Sequence, residues 1–153
     1  MPLSQGIKNA LIPAVVARCE AMMTALSHTT ENVFYRRAPS TKEGEAYVIV
    51  AVPDDIEDFD FSDRNGTAND VLVTAACWSP NARTAGLMGD DLVPRMTAIS
   101  AGLPTLAPTG YTLLDIARVS RTELDDQRAG TTDYFGDMTT YSVRMRLTSS
   151  IGN

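Results

Sequence analysis

The segment Val71-Leu72-Val73-Thr74-Ala75-Ala76-Cys77-Trp78 carries apolar or small residues on both faces of an extended chain. This composition is typical of a strand near the middle of a sheet, where both faces are covered. The strand is expected to stop at Ser79-Pro80-Asn81, because proline cannot donate to a strand ladder and Ser or Asn can cap a helix. We therefore predict a central strand that leads directly into a helix.

The residues after this strand have the period of a helix with one apolar face. Apolar side chains recur at intervals of three and four, at Ala85, Met88, Leu92, Met96 and Ile99. Gly89 weakens the middle of this helix, and Pro94 cannot occupy an ordinary interior position in it. The helix is expected either to kink at Pro94 or to restart there with Asp90 or Asp91 as a new N-cap. We favour the restart.

A further helix and two short strands are predicted before this segment. Near the start of the chain, apolar residues follow a helical period at Leu3, Ile7, Leu11, Val15, Cys19, Met22 and Leu26. Pro13 falls between these positions, so its disturbance of the helix can face outward. Residues 33–37 and 47–52 are predicted strands, and 47–52 is β-branched and apolar on both faces.

The last third of the chain predicts a long hairpin. Residues 111–124 form its first strand, in which Val119 is out of phase, and a bulge near Ala117 and Arg118 would explain the shift. Residues 125–136 are rich in Asp and Gly and predict a turn region. Residues 139–147 then alternate between apolar and polar side chains, which predicts a half-buried strand.

Together these elements predict an α+β fold in a single domain over residues 1–153. The expected architecture is a single mixed, largely antiparallel sheet of four to five strands. Two main helices pack on this sheet, and a long C-terminal hairpin completes it.

Residues 54–70 form a long acidic segment with seven carboxylates and Arg64 as its only basic residue. Loops of this length in compact domains are uncommon and are usually functional or mobile. Phe59 and Phe61 are apolar residues within the charged segment, which favours an interface that becomes ordered on assembly.

Metal binding is the alternative role of the acidic segment. Asp58, Asp60 and Ser62 alternate as in the first half of an EF-hand loop. However, Asp63 occupies the position that needs glycine, and Asn69 occupies the position of the bidentate glutamate. We therefore expect no metal site and no cofactor.

Composition and charge limit the partners. The formal net charge of −6 argues against general affinity for nucleic acid backbone or an acidic membrane. No apolar run approaches the ~20 residues that cross a bilayer, and the start of the chain is a poor signal peptide. We expect a protein that is cytosolic at synthesis.

The residues of a catalytic site are missing from the sequence. His28 is the only histidine, so it has no second histidine for a metal pair, and Cys77 lies in the middle of a predicted strand. No Gly-rich phosphate loop, CxxC or HExxH is present. Cys19 and Cys77 are expected to be buried free thiols. We expect no catalytic residues and no enzymatic activity.

The order of helix, strand, connector, strand, long loop, strand, helix and long hairpin resembles the tail terminator (tail completion) and related minor tail proteins of long-tailed phages. The resemblance rests on the opening helix, on residues 33–37 and 47–52, and on the central strand that ends in Trp78-Ser79. It also rests on the closing hairpin, with Asp125-Asp126 and Gly130-Thr131-Thr132 before Tyr141-Ser142-Val143.

The resemblance implies a domain with helices on one sheet that assembles as a homo-hexameric ring. Such a ring caps the finished tail tube and offers a surface to the neck or head connector. It implies a location at the tail–neck junction of the virion, after assembly in the host cytoplasm. DNA would pass through the channel only as cargo, and the family has no catalytic residues to carry over.

Two roles are open for the acidic segment in such a ring. It can pair with Arg144 and Arg146, on the polar face of the last strand, across a subunit contact. It can instead line the channel, where negative charge keeps DNA phosphates from adhering. We favour the contact, and its predicted residues are Asp58, Phe59, Asp60, Phe61, Asp63, Arg144 and Arg146. The rival functions are another head–tail neck or connector protein and a small acidic-ligand or metal-binding module.

Overall fold

The computed structural model describes residues 3–36, 44–52, 58–59, 68–98, 105–106, 111–127 and 133–147. Within these ranges there are two α-helices, a 3-10 turn at Thr30–Asn32 and six strands. The helices are α1 (Leu3–Ala25) and α2 (Ala82–Thr97). The strands are β1 (Val33–Tyr35), β2 (Tyr47–Ala51), β3 (Asp58–Phe59), β4 (Ala68–Ser79), β5 (Tyr111–Gln127) and β6 (Asp133–Leu147).

The strands form one sheet in the order β1-β2-β4-β6-β5, and β3 pairs with the first residues of β4. The β1–β2 pair is parallel and all the other pairs are antiparallel. The predicted α+β fold, with a mixed and largely antiparallel sheet, two helices and a C-terminal hairpin, is confirmed. β4 has the central place that its sequence predicted, because β2 and β6 flank it.

Both helices pack on the same face of the sheet. On that face Val71, Val73 and Cys77 of β4 are fully or almost fully buried in the core. On the opposite face Ala76 is buried, whereas Leu72 is 48% exposed. The prediction that both faces of the central strand are covered is therefore wrong at Leu72. None of the described helices is long and apolar enough to cross a membrane.

Helix α2 is continuous, so the favoured restart at Pro94 is wrong. Asn81 caps its N-terminus, where Oδ1 accepts from the backbone N–H groups of Arg83 at 2.9 Å and Thr84 at 3.2 Å. Pro94 lies only three residues before the last helical residue and is exposed, so its ring meets solvent. The missing N–H of Pro94 costs only the hydrogen bond to the carbonyl of Asp90, and the helix continues to Thr97. The carbonyls at the end of α2, which have no partner within the helix, have one elsewhere.

That partner is Arg18, a buried arginine on the inner face of α1. Its Nη1 donates to the carbonyl oxygens of Arg95 at 2.8 Å, Met96 at 3.2 Å and Ala98 at 2.5 Å. A cation at a helix C-terminus also interacts favourably with the helix dipole. Burial lowers the pKa of Arg18 from its ordinary value. The guanidinium therefore joins the two helices and ends α2.

We predict that Arg18→Met lowers the free energy of unfolding by about 2–4 kcal/mol, because methionine keeps the apolar stem but leaves carbonyl groups of the α2 terminus unpaired. The matched control is Arg83→Met, at an exposed position in the first turn of α2, which should change stability by less than about 0.5 kcal/mol. Urea unfolding followed by circular dichroism measures both. Equal losses in the two variants would show that the capping bonds contribute little.

A second arginine holds α2 on the C-terminal hairpin. Arg121 of β5 donates two hydrogen bonds to the carboxylate of Asp137 of β6, with Nε–Oδ1 at 2.9 Å and Nη2–Oδ2 at 2.6 Å. The same guanidinium donates to the carbonyl of Gly86 at 3.1 Å and lies 2.7 Å from Oδ1 of Asp90. The hydrogen bonds to Asp137 hold the pKa of Arg121 above its usual range. One side chain thus connects β5, β6 and α2.

Gly89 lets α2 approach this ion pair. A Cβ atom at Gly89 would lie 2.8 Å from Cγ of Asp137 and 2.9 Å from Nη2 of Arg121, closer than non-bonded atoms can stand. The glycine that weakens the helix in isolation is therefore required by the packing. Gly86, one turn earlier, has open space where a Cβ would lie.

These two glycines should respond oppositely to the same substitution. Gly86→Ala should raise the free energy of unfolding by about 0.5–1 kcal/mol, because alanine is the better helix former. Gly89→Ala should lower it by about 1–3 kcal/mol, because the added methyl group displaces the Arg121–Asp137 pair. Thermal and urea unfolding of the two variants test this. A stabilised Gly89→Ala variant would rule out the close approach.

The hairpin is longer than the sequence predicted. Register shifts leave Leu114 and Val119 outside the ladder, so the bulge foreseen near Arg118 lies at Val119 and a second one lies at Leu114. Much of the predicted turn at 125–136 is strand: 125–127 belong to β5 and 133–136 to β6. The turn prediction is wrong there because side chains elsewhere in the fold make strand the better conformation for these polar and Gly residues.

Trp78 supplies one of these contacts. Its ring lies on Gly136 of the neighbouring strand, where an added Cβ would come within 2.7 Å of the ring. Tyr134 supplies another, because its ring packs on Tyr47 with centroids 5.2 Å apart and its hydroxyl donates to the carbonyl of Glu45 at 3.0 Å. Both contacts extend β6 beyond the point where its alternation becomes visible in the sequence.

Candidate assembly surface

The predicted interface residues of β6 lie at one end of the sheet face opposite the helices. There Arg144 stands directly across from Asp70 of β4 and from Asp115 of β5. Its guanidinium makes two bonds to Asp70, with Nε–Oδ1 at 3.1 Å and Nη2–Oδ2 at 3.2 Å. The hydrogen bond to Asp70 holds the pKa of Arg144 above its ordinary value. The guanidinium therefore remains a fixed positive charge.

Arg146 lies two residues further along β6, in register with Ala68 of β4 and Thr112 of β5. Ala68 is also the partner of Phe59 in β3, so Phe59 and Arg146 flank Ala68 in the same row of the sheet. Asp58 is in register with Asn69. Two described parts of the acidic segment, residues 58–59 and 68–70, therefore lie near the basic end of β6 in the same chain.

The other predicted interface residues, Asp60, Phe61 and Asp63, lie outside the described residues. What the structure adds is an internal partner for Arg144, because Asp70 belongs to the acidic segment itself. Opposite charges were expected to meet across a subunit contact, and one such pair forms within the subunit. A contact of the remaining carboxylates with a neighbouring subunit stays a prediction.

Both cysteine side chains pack in the core. Cys19 and Cys77 are free thiols in the core, and burial raises the pKa of Cys19 to about 12 and that of Cys77 well above its ordinary value. His28 follows the end of α1, where its backbone N–H donates to the carbonyl of Met23 at 2.7 Å. Among the described residues, no group of three or more His, Cys, Asp or Glu side chains could hold a metal.

Three side chains that hold the helices in place were not predicted from the sequence. Arg18 lies within the apolar stripe of α1, three residues after Val15, and a charge in that position could have indicated a buried partner. Asp137 continues the inward phase of β6 two residues before Thr139, and the residue is only 3% exposed. Arg121 had no such signal, because the bulge at Val119 shifts the phase of its strand.

Comparisons with known proteins give one informative result. No family model matches the sequence, and no curated protein matches it. Among solved structures, the chain is similar to a chain described as "Virion of native gene transfer agent (GTA) particle", with a TM-score of 0.56 and 17% sequence identity. The match covers 94% of this chain and 94% of the other. At this identity the likeness shows that the two chains share a fold along almost their whole length.

One experiment can distinguish the acidic residues that we expect at a contact with a second chain from Asp70, whose partner lies in the same chain. The triple variant Asp58→Asn, Asp60→Asn and Asp63→Asn should leave the melting temperature of the isolated chain unchanged within error but weaken its assembly. Asp70→Asn should lower the melting temperature slightly and leave assembly intact, because its partner Arg144 is internal.

The assembly loss in the triple variant should be larger at low salt, since attraction between exposed charges is screened as ionic strength rises. Melting curves of the isolated chain and counts of chains per assembled particle measure the two effects. Normal assembly of the triple variant, with altered retention or ejection of DNA, would place the acidic segment in the channel instead.

Proposed function

We propose that this chain is a structural protein of a phage-like virion that forms a ring at the end of the tail tube. In this role, that of a tail terminator, the ring caps the finished tube and joins it to the neck or head connector. The observation that carries the proposal is the fold shared from end to end with a chain of a gene transfer agent virion. The order of elements that resembles tail terminators supports the finer assignment.

The edges of the sheet support assembly. β5 is a 17-residue edge strand, and among the described residues it pairs with β6 alone. Natural proteins normally cover or protect an edge of this length, since its free backbone groups can pair with another chain. Identical subunits in a closed ring cover one another in this way. A ring of six copies is the form that we propose.

The proposal assigns no catalytic step and no cofactor to the chain. The two thiols are packed in the core and the charged side chains with the best geometry, Arg18 and Arg121, bind other parts of the fold. The net charge of −6 suits a channel wall that DNA passes without adhering. Tail-tube and neck or connector proteins are the partners, and DNA is cargo.

The test is the position and the number of copies of this chain in assembled particles. We expect six copies at the tail–neck junction in electron cryomicroscopy of particles, with a small peptide tag on the C-terminus as the marker. Several copies in the neck, away from the tube, would support the second candidate, another connector protein. A single copy per particle, or none, would contradict the ring.

A further inference from the structure

The outer face of α1 is unusually poor in charge for a helix on the surface of a domain. Between Asn9 and Ala25 the helix has two charged residues, and one of them, Arg18, points into the core. The residues that are not buried on the outer side are Pro13, Val16, Ala17, Glu20, Ala21 and Thr24. Surface helices normally carry polar and charged residues there, and a helix that is apolar on all sides is usually covered.

The strand at the opposite edge of the sheet, β5, exposes a large apolar side chain. Val119, the bulged residue of β5, is 58% exposed, more than any other large apolar side chain of the described chain. Arg118, its neighbour, is also exposed. A bulge re-aims side chains and interrupts ordinary edge pairing, so this part of β5 is better suited to side-chain contacts than to a continued ladder.

The two features lie at opposite ends of the strand order, one in a helix over the sheet and one in its edge strand. α1 packs against β1 and β2, at one end of the strand order, and β5 is the strand at the other end. Arg118 pairs with Tyr141, a core residue, so it projects from the face of the sheet that the helices cover. When subunits follow one another around a ring with their layers aligned, the β5 flank of one meets the α1 flank of the next.

The charges on the two flanks are complementary. Glu20 is the one carboxylate on the outer face of α1, and Arg118 is the cation beside Val119. Neither forms an ion pair with another residue in the described part of the chain. Val16 precedes Glu20 by four residues, so the two side chains are neighbours on the helix surface. Val119 follows Arg118 directly at the bulge of β5.

We propose that the outer face of α1 binds the β5 flank of a second copy of this chain, with Val119 packed beside Val16 and Arg118 paired with Glu20. The contact is head-to-tail, because two different surfaces of the same chain meet, and such contacts generate rings when they close. The inference rests on the proposed ring and specifies which surfaces build it.

Cysteine cross-linking in assembled particles tests the contact directly. The double variant Val16→Cys and Val119→Cys, treated with a short bismaleimide, should give a ladder of covalent multimers on a denaturing gel. The native thiols should not react, because they are buried and protonated. Each single cysteine variant should run as a monomer on the same gel. The matched control pairs Val16→Cys with Leu72→Cys, an exposed site on the opposite face of the sheet, and should give no ladder.

Charge exchange provides an independent test. Glu20→Arg alone and Arg118→Glu alone should each weaken assembly roughly tenfold at low salt, since each places like charges together. The variant that carries both changes should regain most of the loss, because the pair is restored with its sign reversed. A change that acted only on folding would show no such recovery.

The outcomes separate this contact from the ring itself. If wild-type particles contain the ring but the double cysteine variant gives no ladder and the exchanged charges do not recover, the contact is wrong and the ring stands. Dimers from a single cysteine variant would indicate a two-fold contact and would also overturn it. If wild-type particles contain no ring, both proposals fall.

Discussion

The buried guanidinium of Arg18 is the interaction on which the arrangement of the helices depends. It donates hydrogen bonds to three carbonyl groups at the end of α2 and so gives them a charged donor. A buried charge is expensive unless it is fully bonded, so the geometry of α1 and α2 is closely constrained around it. Removal of either helix would break these three hydrogen bonds.

Arg121 fixes the other end of the same layer. It ties α2 to the hairpin through Asp137 and through a backbone carbonyl of the helix, and Gly89 permits the approach. With one arginine between the helices and one between helix and hairpin, the helix layer is tied at two separate places. The opposite face of the sheet has a different organisation, in which the strand register brings charged residues such as Asp70 and Arg144 opposite each other.

The sequence predicted the elements that depend on local pattern, and it missed those that depend on distant partners. The central strand, the period of both helices and the last strand followed from the spacing of apolar residues. The position of the end of α2 did not, because the helix passes through Pro94 and ends three residues later, at carbonyls that Arg18, far away in sequence, holds. Strand at Gly136 could not be predicted either, because only the packed ring of Trp78 makes glycine favourable there.

The candidate assembly surface could also be predicted only in part. Charge patterning identified Arg144 and the acidic segment as partners, but pattern alone cannot tell whether opposite charges meet within one chain or between two. For Asp70 the strand register gives the answer, because the pairing of β4 with β6 brings Asp70 opposite Arg144, where the two side chains form two hydrogen bonds. The element opposite the outer face of α1 needed the structure, because the helix period does not show which strand lies at the other end of the sheet.

The packing of Trp78 on Gly136 gives the protein a built-in optical reporter. Trp78 is the only tryptophan, and it lies where the central strand meets the hairpin, about sixty residues away along the chain. Its intrinsic fluorescence therefore responds to the pairing of β4 with β6 and, since Trp78 is also in register with Tyr47, to the pairing of β4 with β2. Both pairings join residues that are distant in sequence, so the emission reports on the formation of non-local sheet structure.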